Sequence, residues 1–243
     1  MSPRRPPSWS VFTNASGAPT EGGKWWAVPS DEKWAADAKL VGVSHLPTPL
    51  RGRPPTLIVT DGDATLFEEE VIDELACLAG VGEQVAAITS RAMHGEMGFT
   101  ESLARRVQLL EGLPVAALDQ VRASLTLTPG ARTLIDWAHQ VGAEFGVVSG
   151  GFTAVLDPLT ESLNVDHLAA NTLEIEGGRL TGRVLGQVVD GQEKKRVFTK
   201  WAEEASGSTS DTAGALSSSV AVGDGANDNP MLSSAGLGVA FCA

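Results

Sequence analysis

The sequence predicts an α/β protein on a mostly parallel sheet, with a helical block inserted after the first sheet strand and a β-hairpin later in the chain. Three observations predict it. The apolar, β-prone runs Thr56-Leu57-Ile58-Val59-Thr60, Phe145-Gly146-Val147-Val148 and Val220-Ala221-Val222 each lead into a short motif of Asp, Ser or Gly. Runs without polar alternation suit strands covered on both faces. Segments of helical period separate them, which is the order of a parallel sheet with crossover helices. The motifs then fall at carboxyl ends of strands, where an open α/β sheet places its ligand crevice.

The elements follow in order. Residues 1–52 hold Pro, Gly and four of the six tryptophans but no sustained helical or strand period, and stay unassigned; Trp25, Trp26 and Trp34 are expected to pack on the main domain, with a partner surface as the alternative. A core domain is predicted over 53–67 and 126–243, opening with the strand that ends at Asp61. Residues 68–125 carry apolar spacings such as Val71, Ile72, Leu75, Leu78 and Leu103, Val107, Leu110, which predict consecutive helices and hence a cap. Thr128-Pro129-Gly130 starts a helix through His139, followed by the strand 145–148. Asn171 to Val189 alternates around Glu176-Gly177-Gly178-Arg179 and reads as a hairpin. Glu193 to Glu204 reads as a helix, and the Ser/Thr/Gly/Ala-rich stretch 205–219 as a flexible surface loop. After the strand 220–222, a helix near Asn227 to Ser234 leads to a last strand, Leu237 to Phe241.

At 243 residues and 42% hydrophobic, the chain can bury a substantial core, as one domain with an insertion or as two small domains. Its formal net charge of -12 disfavours nucleic acid and anionic membranes as partners, because the average surface repels both. A phosphate ligand must then be held by local charge. No apolar run reaches transmembrane length, and Met1 to Ser10 lacks the apolar segment of a signal peptide, so a cytoplasmic location is expected. Cys77 and Cys242 give neither metal-ligand spacing nor a disulfide framework. A homo-oligomer is left open.

Four motifs carry chemistry. Asp61-Gly62-Asp63-Ala64-Thr65 places two carboxylates two residues apart at a strand end. That arrangement suits covalent phosphoryl transfer, with Asp61 as nucleophile and Asp63 as acid and base in turn. Gly223-Asp224-Gly225-Ala226-Asn227-Asp228 supplies oxygen ligands for Mg2+. Asp61, the Asp63 carbonyl and Asp224 are the expected ligands, with Asp228 behind them and Asn227 toward substrate. Ser149 and the Gly150 amide offer neutral donors to phosphoryl oxygens. The cation comes from the helix after the hairpin, where Lys194, Lys195 and Arg196 are alternatives. Each motif alone is as well explained by a turn or a solvated helix face; together and in this order they describe a phosphate site.

With Asp61-Gly62-Asp63-Ala64-Thr65-Leu66, Glu70 through Ala76, Phe99-Thr100-Glu101-Ser102-Leu103, Arg105-Arg106-Val107, Val147 through Phe152 and Val220 through Asn229, the chain resembles the haloacid dehalogenase superfamily. More narrowly, it resembles the phosphoserine phosphatases. The resemblance implies a Rossmann-like core with an inserted helical cap and Mg2+-dependent hydrolysis of O-phospho-L-serine through an aspartyl-phosphate, a step of serine synthesis. It selects Lys194 as the motif lysine, gives Glu70 to the substrate ammonium and Arg106 to its carboxylate, and lines the cap side with Met93 and Phe99. A related phosphatase or phosphotransferase, or a phospho-ligand-binding protein with little turnover, is the alternative. Three departures accompany it. Ala64 stands where these phosphatases usually have Ser, the 205–219 stretch is long, and the sequence stops where members continue with a further helix and strand, implying a truncated carboxyl-terminal edge.

Overall fold

The computed structural model describes residues 53–241, Leu50, and the backbone of 9–11 and 27–29. Trp25, Trp26, Trp34 and Cys242 lie outside the described residues. The unassigned amino-terminal segment holds two strands, β1 (Trp9–Val11) and β2 (Ala27–Pro29), paired antiparallel. At three residues each they are too short to show a period.

The main sheet has six strands: β3 (Leu57–Thr60), β4 (Glu144–Phe152), β5 (His167–Glu176), β6 (Arg179–Leu185), β7 (Ser219–Gly223) and β8 (Leu237–Ala240), in spatial order β6-β5-β4-β3-β7-β8. All neighbours are parallel except β5 and β6. Chain order reverses at β3, which has β4 on one side and β7 on the other, so the crevice opens at the end of β3, where Asp61 stands.

The alternation of β3 explains its unbroken apolar run. Ile58 joins a core cluster with Phe145, Val147 and Val222 on one face of the sheet. Leu57 and Val59 join Val148, Phe198, Trp201 and Met231 on the other. Both faces are covered, so Leu57, Ile58 and Val59 are apolar in succession. Gly146 has a packing reason: a Cβ there would sit 3.0 Å from the Trp201 ring.

The inserted block after β3 holds α1 (Val71–Ala79), α2 (Gly82–Met93), α3 (Phe99–Gln108) and α4 (Ala116–Ser124). Then come α5 (Ala131–Gln140), before β4, and α6 (Thr153–Ser162), after it. The hairpin closes as the sequence predicts, with Glu176 opposite Arg179 and Gly177 and Gly178 both at positive φ, as a two-residue type I′ connection requires.

Two expectations are corrected. The stretch 205–219 is not one flexible loop. It contains α8 (Thr212–Ser217), capped by the Asp211 carboxylate accepting from Gly214 N–H at 2.9 Å and anchored by the buried Ala215. The low-complexity composition hid an ordinary Asp cap. Nor does β4 stop before Ser149; it continues to Phe152 with a register shift between Val148 and Phe152.

After the hairpin, α7 (Gly191–Ala205) begins at Asp190, whose carboxylate accepts from Gln192 and Glu193 N–H. A short α9 (Asn229–Leu232) follows a single 3-10 turn, Ala226–Asp228. Among the described residues no helix is long and apolar enough to cross a membrane. Cys77 is a free, exposed thiol.

Candidate active site

Asp61 leaves β3 in an extended conformation, and its Oδ1 accepts from Gly62 N–H at 2.6 Å. The chain then turns once through Gly62–Leu66, with Ala64 at φ 53°. That left-handed position costs an alanine about 1–2 kcal/mol. The turn buries Asp63 and Thr65 beside Asp61.

Lys194 lies in the first turn of α7 and is fully buried, its Nζ 2.7 Å from Asp61 Oδ2 and 2.7 Å from Asp228 Oδ1. This separates the three candidate cations. Lys195 and Arg196 are exposed, and Arg196 pairs with Glu193 on the helix surface. Burial alone would depress the Lys194 pKa. The charges and hydrogen bonds of Asp61 and Asp228 outweigh it and hold the ammonium above the ordinary lysine range.

The acidic side is over-supplied. Carboxylate oxygens of Asp61, Asp224 and Asp228 lie within 4.8 Å of one another, against the single ammonium of Lys194. Burial raises the Asp61 pKa to about 7 against the pull of Lys194, with Asp228 adding to the rise. Three hard oxygen donors sharing too little positive charge fit a divalent cation. Thr65 Oγ1 donates to Asp224 Oδ1 at 3.1 Å and orients that carboxylate. Asp228 Oδ2 accepts from Gly225 N–H at 3.0 Å while Oδ1 holds Lys194, so Asp228 is part of the carboxylate cluster as well as a support for the lysine.

Asp63 differs. Its Oδ1 is buried without a hydrogen-bond partner among the described residues. Burial, then the charges of Glu70 and Asp61, push its pKa well above the carboxylate range. Two neighbouring carboxyls in different surroundings are what separate acid and nucleophile roles require. Ser149 is fully buried and its Oγ accepts from Gly151 N–H at 2.8 Å. The glycines admit this crowding: a Cβ on Gly151 would stand 2.9 Å from Asp63 Oδ2, and one on Gly62 2.8 Å from Ser149 Oγ.

The remaining candidates come from the helical block and the last loop. Phe99, at the start of α3, reaches the Gly150 backbone closely enough that a Cβ there would lie 3.2 Å from its ring. Glu70 precedes α1, and its carboxyl is raised by partial burial and by Asp73 and Asp224. Arg106 has a buried Nε without a hydrogen-bond partner among the described residues; burial lowers its pKa against the attraction of Glu70. Asn227, in the 3-10 turn, is half-buried. Met93 is not gathered in: at the end of α2 it is 83% exposed.

Sequence reading gave no role to Asn171, 1% exposed, whose side chain bridges Gly150 C=O and Val189 N–H. No local signal marks it, because the same strand also carries His167, Thr172, Glu174 and Glu176; its burial sets it apart, since buried polar groups are rarely idle. A separate groove of about 870 Å³ between α3 and the hairpin, lined by Leu103, Gln108, Glu111, Arg179 and Arg183, includes none of the clustered carboxylates.

A family model for haloacid dehalogenase-like hydrolases matches residues 58–233. The phosphoserine phosphatase of Streptomyces coelicolor is 48% identical over 209 residues, 85% of this chain and 49% of that protein. That of Lactococcus lactis is 47% identical over 187 residues, 77% of this chain and 83% of that protein. A solved structure described as a phospho-aspartyl intermediate analogue of phosphoserine phosphatase aligns with a TM-score of 0.70 at 40% identity, covering 79% of this chain and 88% of that one. The chain spans about half the length of the Streptomyces coelicolor and Archaeoglobus fulgidus relatives, 49% and 53%. With the motif aspartates, serine and lysine gathered at one strand end and likeness running over most of its length, the chain belongs to the haloacid dehalogenase-like hydrolases, in the phosphoserine phosphatase family.

Proposed function

We propose that the chain hydrolyses O-phospho-L-serine to L-serine and orthophosphate, with Mg2+ as cofactor, in cytoplasmic serine synthesis. The observation that carries this reading is the fully buried Lys194 held between Asp61 and Asp228 beside the buried carboxyl of Asp63. The phosphoserine phosphatases among its relatives support the substrate.

In the proposed reaction Asp61 attacks phosphorus, the bond from phosphorus to the serine oxygen breaks, and Asp63 gives that oxygen its proton. Asp63, now a carboxylate, takes a proton from water as the water oxygen attacks the aspartyl-phosphate. Orthophosphate leaves and the Asp61 carboxylate is restored. Asp61, Asp224 and the Asp63 carbonyl, with Asp228 in support, would hold Mg2+, which would supply charge neutralisation between carboxylate and phosphate. Lys194, Ser149 and the Gly150 amide hold the phosphoryl oxygens, with Asn227 nearby. Glu70 meets the ammonium and Arg106 the carboxylate.

In the domain division proposed here, 68–125 is a cap over a core of 53–67 and 126–243. Its closure would bring Met93 and Phe99 over the ligand and exclude water.

The test is phosphate release from O-phospho-L-serine with Mg2+ and then with a chelator, beside an aryl phosphate. Release that favours phosphoserine and stops with the chelator is expected. Arg106→Ala should lower kcat/KM for phosphoserine by about 10- to 100-fold, the worth of a charge-assisted contact, and change aryl phosphate hydrolysis little. Equal losses on both esters would remove Arg106 from substrate recognition. Added small alcohols should leave orthophosphate as the product; their phosphorylation would make the chain a phosphotransferase.

Gly223→Ala is a second prediction. Its Cβ would collide with the Asp228 carboxylate, both of whose oxygens are already engaged. Displacing that carboxylate should lower kcat by about a hundredfold and raise the Mg2+ concentration needed for half-activity. An unchanged Mg2+ titration would show that Asp228 had not moved.

A further inference from the structure

The Ser149–Gly151 segment lies where the β4–β5 ladder is interrupted. Pairing runs Gly146 to His167, Val147 to Leu168 and Val148 to Ala169, then resumes only at Phe152 opposite Asn171. An interruption of this kind leaves backbone groups without ladder partners. Asn171 supplies one from its side chain, with Nδ2 donating to the Gly150 C=O at 2.8 Å.

That bond reaches the phosphate site through a single peptide plane. The C=O and N–H of a trans peptide point in opposite directions. Holding the Gly150 carbonyl toward Asn171 therefore turns the Gly151 N–H the other way, where it donates to Ser149 Oγ at 2.8 Å. The hydroxyl oxygen is fixed as an acceptor, and its own O–H remains available to a phosphoryl oxygen.

The other end of the same amide holds a second element. Asn171 Oδ1 accepts from Val189 N–H at 2.9 Å. Next in the chain, Asp190 caps α7 with its carboxylate, and its carbonyl accepts from the N–H of Lys194 at 2.8 Å.

We infer that Asn171 is a positioning residue that sets the Ser149 hydroxyl and the Lys194 helix start relative to each other around one phosphoryl group. The inference rests on the phosphatase reading of the site. Only a planar group with a donor at one edge and an acceptor at the other makes both bonds. Aspartate keeps the acceptor toward Val189 and loses the donor toward Gly150; alanine loses both.

The test compares Asn171→Asp and Asn171→Ala, each alone and with Ser149→Ala, on phosphoserine and an aryl phosphate. Orthophosphate binding in Mg2+ is measured by calorimetry on the same set, and either folded Asn171 variant suffices. The expected result is a fall in kcat of about tenfold on both esters, with less than about twofold further loss when Asn171→Asp is added to Ser149→Ala. A merely structural role predicts losses that multiply, and that result, or wild-type kcat in Asn171→Asp, overturns the inference. If the wild type releases phosphate from neither ester, the phosphatase reading has failed and orthophosphate affinity decides. Weakening in both single variants without further loss in the double variant supports the positioning role. Unchanged affinity in Asn171→Asp, or no binding by the wild type, overturns it.

Discussion

Asp61→Asn is expected to lower phosphate release by about ten-thousand-fold or more, as removal of a nucleophile does, while the protein stays folded and still binds orthophosphate. The side chain is the same size, and its amide oxygen can keep the 2.6 Å bond from Gly62 N–H. Lys194 retains Asp228 at 2.7 Å. Removing the negative charge also takes away one of two buried carboxylates that share a single ammonium, so the fold does not depend on it. Steady-state release, circular dichroism and orthophosphate calorimetry on one preparation check all three statements. Activity within tenfold of wild type would mean that Asp61 is not the attacking group.

Lys194→Met should be the most destabilising single change at the site. Methionine matches the length of the lysine stem and removes only the ammonium, leaving Asp61 and Asp228 buried without their cation. Stranding buried charge in this way costs about 3–5 kcal/mol. The urea midpoint should fall with little change in slope, and turnover should vanish with the stability loss. Added Mg2+ should recover part of the midpoint, because it supplies the missing positive charge to the same carboxylates. Lys195→Met, one residue along and exposed, should stay within about 0.5 kcal/mol of wild type. Equal effects of the two substitutions would contradict the central position of Lys194.

What could be read from the sequence follows from how locally each feature is determined. The strands β3, β4 and β7 were legible because burial on both faces imposes an unbroken apolar run. The hairpin was legible because two positive-φ positions select Gly177 and Gly178. The helix α8 was not: small polar residues hide its packing face, and Asp211 is its one local signal. Asp61, Asp63 and Asp224 stood out because their order along the chain is itself a pattern. The choice among Lys194, Lys195 and Arg196 depends on which side of α7 faces the sheet, and burial of Lys194 against Asp61 settles the geometry. Asn171 was invisible for a related reason. Its partners, Gly150 and Val189, are 21 and 18 residues away in sequence, and only the interrupted ladder explains why an amide is needed. Met93 remains on the solvent side of α2, 83% exposed, and is not part of the site in this structure.

The proposed reaction passes through a covalent phosphate on Asp61, and trapping it is the most direct measurement. Protein mixed with Mg2+ and O-phospho-L-serine carrying a labelled phosphate, then quenched in acid within one turnover, should retain label released by hydroxylamine and located by peptide mapping on Asp61. Asp61→Asn should retain none. Rapid phosphate release with no label held by the protein at any time within the turnover, or label mapped to another residue, would contradict the mechanism proposed for this site.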